Sequence, residues 1–254
     1  IINALAYWIA GMTPFQAICH GMTTISTGGY STSDRSFSLF DSPAIEGIAI
    51  VFMILGSLPF VLYLHAVRGG AKRLWRDTQV RWFMGIVLAA VIALSGWQWL
   101  AGGMTIDNAV RYASFNAISV LTGTGYSSAN FGGWGSFALP VFTVLMFVGG
   151  CTGGTTGGIK VFRFQVLYAT ARVQIHQLIQ PHGVFPMKYN SRPIPETVPG
   201  AVMGFFFLFI VSFALLAMAL SLMGLDYITS ISGAATALAN VGPGLGSIIG
   251  PSGT

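Results

Sequence analysis

Long uninterrupted apolar stretches dominate this chain, and short polar-apolar segments separate them. A membrane helix needs about 20 mostly apolar residues. Residues 43–66, 80–100, 137–178 and 198–223 are each long enough. The first is nearly free of charge apart from Glu46, glycines interrupt the third at 149–158, and the fourth is the cleanest. Residues 1–10 read as the tail of a further helix. Between the long stretches lie 13–24, 107–121 and 226–239, too short and too polar to cross, each ending in a glycine-containing run. Each has room for about three or four helical turns. This alternation predicts a re-entrant helix followed by a loop, three times over. Non-helical backbone at membrane depth is tolerated only where it is buried in protein or lines water, so the three loops are functional candidates.

Composition removes the soluble alternatives. Apolar residues make up 54% of the 254 residues and charged residues 7%, against roughly 25% charged in a soluble domain. Most of the outer surface therefore faces lipid. The basic residues are segregated: Arg68, Lys72, Arg73, Arg76 and Arg81 follow the first long stretch, and Lys160, Arg163, Arg172, Lys188 and Arg192 follow the break in the third. Ten of the 12 basic residues thus share one side, which the positive-inside rule assigns to the cytoplasm. The other side keeps Arg35 and Arg111, with Asp34, Asp41, Glu46, Asp107 and Asp226. Acids around an outer mouth raise the local cation concentration, although they also read as ordinary solvated loop charges. The net charge of +5 is a property of the inner loops and implies no nucleic acid. Cys19 and Cys151 form no disulfide framework, and His20, His65, His176 and His182 no ligand-spaced cluster. The chain starts at Ile1 without a basic-then-apolar leader and stops at Ser252, Gly253 and Thr254, which reads as part of a longer polypeptide.

The three loops repeat. Gapless offsets of 96 and then 119 residues place Gly29 on Gly125 and Gly244, Tyr30 on Tyr126 and Leu245, and Asp107 on Asp226. The repeating unit is membrane helix, pore helix, loop, membrane helix. A potassium filter replaces the ion's water shell with backbone carbonyls, and glycine reaches the backbone angles this demands without a Cβ penalty. The candidate filter residues are Thr27, Gly28, Gly29 and Tyr30, then Gly123, Thr124, Gly125 and Tyr126, then Val241, Gly242, Pro243 and Gly244. None of the loops keeps a whole Thr-Val-Gly-Tyr-Gly pattern. One good carbonyl ring at the central glycine, with poorer sites beside it, predicts weaker discrimination between potassium and sodium. The tyrosines serve equally as interfacial belt residues or as packing behind the filter.

A second glycine-rich run interrupts the third long stretch: Gly149, Gly150, Cys151, Thr152, Gly153, Gly154, Thr155, Thr156, Gly157 and Gly158. Each interior glycine costs a helix about 1 kcal/mol relative to alanine, so six of them predict unwinding, with threonine hydroxyls satisfying the freed backbone. Close packing through small residues is the plain alternative. A phosphate-binding loop fits poorly, because Ile159 separates the last glycine from Lys160 and no Ser or Thr follows the lysine.

Three stretches together, 20–32, 149–160 and 240–246, resemble the Trk/Ktr/HKT superfamily of potassium transporters, most closely its bacterial TrkH branch. The resemblance runs over essentially the whole chain. It implies an all-α integral membrane protein built of helix, pore-helix, filter-loop, helix units, four of them around one central pore, in the bacterial cytoplasmic membrane. On that reading residues 1–66 close repeat two, 67–79 are a cytoplasmic loop, 80–180 form repeat three with its broken inner helix, 181–196 are a second cytoplasmic loop, and 197–254 carry repeat four as far as its filter. It further implies K+ as the transported ion with no organic cofactor, residues 149–158 as a gate beneath the filter, a homodimer in membrane lipid, and a cytoplasmic nucleotide-binding regulatory ring of the TrkA type. Lys160 is expected at the cytoplasmic exit, with a pore-facing place left open.

Two other functions stay on the table. A secondary symporter binds its substrate at unwound helix halves and often carries intramembrane acids; one broken helix and no acid in the middle of a spanning stretch speak against it. A membrane enzyme needs a set of acid, base, nucleophile or metal ligands. His20 and Cys19 are isolated, so no enzyme is expected; a scaffold subunit would have no use for three filter-like loops.

Overall fold

The computed structural model describes residues 1–254 except Ala71, His182, Val184, Ser191, Glu196, Ser247 and 252–254, and it describes no side chain for 69, 70, 72, 73 and 192. The side chains of Lys72, Arg73 and Arg192 of the basic segments, together with His182 and the last three residues, therefore lie outside the description.

The order is α1 (Ile2–Ile9), α2 (Pro14–Ile25), α3 (Pro43–Ser57), α4 (Phe60–His65), α5 (Lys72–Arg76), α6 (Thr78–Leu100), α7 (Ile106–Leu121), α8 (Ala138–Phe147), α9 (Val161–Ile179), the strands β1 (Lys188–Tyr189) and β2 (Arg192–Pro193), α10 (Thr197–Leu222) and α11 (Tyr227–Ala239). Helices α6 and α10 have 23 and 26 residues. At 1.5 Å per residue they reach about 35 and 39 Å, enough for a hydrocarbon core of about 30 Å. Helix α10 turns Phe207, Leu208, Ile210, Leu215 and Met218 outward, the surface of a helix that meets lipid.

The other two long apolar stretches are not single helices. Residues 43–66 were expected to span as one rod, yet α3 and the segment Phe60–Arg68 meet at 95°. Pro59 is the cause. It has no N–H to donate, and it pushes the residue before it out of the helical region; Leu58 is extended, with φ −85° and ψ 157°. The third stretch divides into α8 and α9, separated by 148–160 and clamped at its ends by a parallel bridge between Val148 and Ile159. This is the interruption its glycines predict. A small antiparallel hairpin, Lys188 facing Pro193 and Tyr189 facing Arg192, stands where sequence reading saw only a loop.

The short segments fold as helices α2, α7 and α11. Each begins on an oxygen-bearing cap: the Thr13 side chain accepts from the Gln16 N–H, and the Asp226 side chain from the Thr229 N–H, while Thr105 caps α7 without a side-chain bond. Asp107 lies in the first turn of α7 rather than at its cap. It therefore does not match Asp226, whose counterpart in the first unit is Thr13. Behind the loops an aromatic cluster is buried: Phe37 lies 4.3 Å from the Tyr126 ring, 5.1 Å from Phe115, 5.4 Å from His20 and 6.1 Å from Tyr7. On the acidic face, Arg111 of α7 holds Glu46 of α3 through two bonds of 2.9 and 2.8 Å and reaches Asp41 at 2.8 Å.

Candidate ion-conducting site

The three loops after α2, α7 and α11 share one backbone conformation. Positive φ recurs at Thr27 and Gly29, at Gly123 and Gly125, and at Asn240 and Gly242. The residue between each pair donates its N–H five positions back into the pore helix: Gly28 to Thr23, Thr124 to Ser119 and Val241 to Thr236, at 2.8, 2.9 and 3.0 Å. The structural offset between the second and third loops is thus 117 residues, not 119. Gly242, not Gly244, is the partner of Gly29 and Gly125, and the third loop's equivalent of 27–30 is 240–243. Gapless alignment misplaced it because the link from α7 to α11 differs by two residues from one that keeps the acids in step. Gly244 has an ordinary φ and turns toward the Ile249 side chain.

The loops touch in cyclic order. A Cβ at Gly29 would collide with the Thr124 carbonyl oxygen, and one at Gly125 with the Val241 carbonyl oxygen. These two glycines are therefore required both by φ and by the neighbour's backbone. Among the described residues, the carbonyl oxygens of Thr27, Gly28, Gly29, Gly123, Thr124, Gly125, Asn240 and Val241 accept no hydrogen bond from the protein. Four of them, on Thr27, Gly123, Thr124 and Val241, belong to buried residues, where backbone carbonyls are nearly always paired; this makes the three equivalent loops the candidate site.

Sequence reading missed the residue that anchors each loop. Thr23, Ser119 and Thr236 occupy the same pore-helix position, and each hydroxyl donates to a carbonyl near the end of its loop: Tyr30 at 2.9 Å, Tyr126 at 2.7 Å and Gly242 at 3.0 Å. A hydroxyl at three positions in register was the available signal, legible only with the 117 offset. The two tyrosines part company. Tyr126 is fully buried behind the loops, with its phenol 2.5 Å from Thr23 Oγ1 and 3.3 Å from Thr24 Oγ1 of the preceding unit. Tyr30 is 78% exposed. Pro243 takes the third place. His20 is buried in α2, its ring nitrogens at 2.9 Å from the Gln16 carbonyl and 3.1 Å from the Ser31 hydroxyl. Among the described residues no group of His, Cys, Asp and Glu could hold a metal ion.

Residues 149–158 lie directly against the helix side of these loops. The Thr155 hydroxyl shares its one proton between the Ile25 and Gly56 carbonyls, both at 3.1 Å, and accepts from Thr27 Oγ1 at 3.1 Å. A Cβ at Gly157 would collide with the Ala239 carbonyl oxygen, and the Gly157 N–H lies close to Gly123. The run therefore contacts all three loops at once. It is also stitched into the break at Pro59: Cys151 N–H donates to Ser57 O at 2.9 Å, Thr155 N–H to Gly56 O at 3.0 Å, and Phe60 N–H to Gly153 O at 3.1 Å. Each helix break satisfies the backbone groups that the other leaves free. Lys160 sits at the cap of α9, not out in a loop, and its ammonium folds back onto the Thr156 carbonyl and, at 2.9 Å, onto the Thr156 hydroxyl.

Residues 2–253 match the family model described as TrkH, cation transport protein. The chain belongs to the TrkH family. It is 43% identical over 254 residues to the Trk system potassium uptake protein TrkI of Halomonas elongata, covering 100% of this chain and 51% of that one. It is 34% identical over 257 residues to the Trk system potassium uptake protein TrkH of Vibrio parahaemolyticus, covering 98% and 52%. The crystal structure of that potassium transporter superposes with a TM-score of 0.92 at 33% identity, over 98% of this chain and 54% of the solved one. The chain thus spans about half the length of the curated TrkH-family relatives it matches. The likeness shows a helical membrane protein of the TrkH fold.

Proposed function

We propose that this chain supplies three of the four filter loops of a channel-like potassium uptake pathway. The observation that carries the reading is the set of unpaired carbonyls on three loops in one register. Alternating positive and negative φ turns successive carbonyls to one side of a strand, the geometry with which carbonyls replace a hydration shell. The relatives are named as potassium uptake proteins, and K+ is the ion we assign, with no organic cofactor. The cyclic contacts of Gly29 with Thr124 and Gly125 with Val241 leave the first and third loops each with one open side. A fourth unit completes the ring there, and exposed Tyr30 would pack on its pore helix as Tyr126 packs on α2. Thr27, Gly28, Gly29, Gly123, Thr124, Gly125, Asn240 and Val241 are the residues we assign to the ion, with Gly242 holding the third loop in place through its bond from Thr236. The run 149–158 is the gate, and its docked arrangement is the closed one.

The basic end faces the cytoplasm on this reading. There Arg76, Arg81 and His65 line a cavity of about 900 Å³ together with the hairpin residues Tyr189 and Asn190. A relative is named as part of a Trk system, which supports system partners in general; on the sequence resemblance we assign these as a second copy in lipid and a cytoplasmic nucleotide-binding ring of the TrkA type.

The test is rubidium influx into cells lacking potassium uptake, for the full-length protein and its Gly125→Asp variant. Influx in the wild type that the variant loses, or that becomes sodium-permissive, supports the pathway. Equal influx in both removes Gly125 from the filter. The second break at Pro59 favours a second reading, a symporter working at unwound helices; counterflow in sealed vesicles, which a simple pore does not sustain, separates the two.

A further inference from the structure

We infer that Gln79 and Tyr189 are positioning residues that couple the hairpin 188–193 to the loop 149–158. Gln79 is buried in the first turn of α6. Its Oε1 accepts from the Thr152 N–H at 2.8 Å, and its Nε2 donates to the Tyr189 hydroxyl at 2.8 Å. One primary amide therefore bridges the intramembrane run and the hairpin. A carboxylate here would have to accept from the Tyr189 hydroxyl and so take its one proton away from Asp77, whereas the amide leaves that proton free.

The hairpin is in turn seated on the start of α6. Asp77, the cap of that helix, accepts from Gln79 N–H at 2.8 Å, from Asn190 Nδ2 at 2.9 Å and from the Tyr189 hydroxyl at 3.5 Å. Asn190 Oδ1 accepts from the Thr78 N–H at 3.0 Å. Asn190 holds a left-handed backbone, φ 46°, which places its side chain at the turn. Burial pushes the Tyr189 phenol above its ordinary pKa, so it stays protonated and both accepts from Gln79 and donates to Asp77. Its ring meets Phe162, the second residue of α9, edge-on at 5.2 Å. The hairpin thus reaches the run 149–158 from both ends: through Gln79 to Thr152, and through Phe162 to the helix that follows. Nothing in this arrangement serves the ion directly. It gives a displacement of the hairpin two short paths, from Tyr189 through Gln79 to Thr152 and from Tyr189 to Phe162, toward the proposed gate.

The inference rests on the proposed gate, and its test is read without conduction. In the full-length protein, hydrogen exchange of the peptide covering 149–160 is followed for wild type, Tyr189→Phe, Gln79→Ala and the double variant. Tyr189→Phe keeps the ring on Phe162 and removes only the hydroxyl. Loss of one hydrogen bond, worth about 1 kcal/mol net, predicts about five-fold faster exchange of this peptide in Tyr189→Phe. Gln79→Ala should exchange at least as fast, and the double variant no faster than Gln79→Ala alone. Unchanged exchange in Tyr189→Phe, or single effects that multiply in the double variant, would overturn the coupling. Unchanged thermal unfolding of Tyr189→Phe serves as the folding control; if it drops, Asn190→Ala, which loosens the hairpin from α6 without touching Gln79, gives the same reading. Rubidium influx measured in parallel separates the failures: absent influx in wild type refutes the pore, while the exchange result still decides the relay.

Discussion

Replacing Thr155 by valine keeps the shape of the side chain and removes one hydroxyl from the centre of the docked run. That hydroxyl lies 3.1 Å from Ile25 O, Gly56 O and Thr27 Oγ1. Two of these groups have other partners. Thr27 also donates to the Ser26 carbonyl at 2.7 Å, and Gly56 O keeps the Thr155 N–H at 3.0 Å. Ile25 O, the last carbonyl of α2, is left without one. A lost hydrogen bond with an orphaned, partly buried carbonyl costs about 1–2 kcal/mol. This shifts the ratio of docked to released run by a factor of about 5–30. If the docked run closes the pore, basal rubidium influx through the full-length protein rises by a comparable factor until the open fraction saturates. Thr155→Ser, which restores the hydroxyl, should return influx to near the wild-type level. Influx in Thr155→Val equal to wild type, or a serine variant that behaves like valine, refutes the reasoning.

Other outcomes follow from the same geometry. Gly242→Ala forces a side chain onto φ 109°, which costs about 1–3 kcal/mol; it should reduce potassium selectivity in an influx competition with sodium more than Gly244→Ala, which presses on the side chains of Ile249 and Ser232 and not on backbone. Arg111→Met leaves Glu46, 3% exposed, without its partner; breaking a buried pair from one side costs about 3–5 kcal/mol, seen as a lower unfolding temperature in detergent. Asp41→Asn should cost under about 1 kcal/mol in the same assay, because Asp41 is an exposed partner. Tyr126→Phe removes the tether to Thr23 and Thr24 while keeping the aromatic cluster, so the potassium-to-sodium ratio should fall with little change in stability; an unchanged ratio would show that packing alone holds the loop.

Much of this architecture was legible from local features. Six glycines in ten residues unwind a helix wherever they lie, and 149–158 is unwound. Thr13 and Asp226 start helices because a side-chain oxygen can accept an orphan N–H at once. Pro59 carried an equally local signal that hydropathy hid: the apolar content of 43–66 runs straight through it, while its backbone cannot.

The remainder depended on groups far apart in the chain. Whether Gly242 or Gly244 joins Gly125 was decided by the Val241–Thr236 bond and by the fit of the Val241 carbonyl against Gly125, not by glycine spacing, since both residues are glycines. The contacts of Thr155 with Ile25 and of Gln79 with Thr152 and Tyr189 span 73 to 130 residues. Sequence alone determined membrane residence, the three short helices before the loops and the unwound run, because apolar content, capping and helix propensity act within a few residues. Tertiary structure decided the loop register, the mutual docking of two broken helices and the seat of the hairpin, because each depends on which unpaired backbone group comes within about 3 Å of a partner.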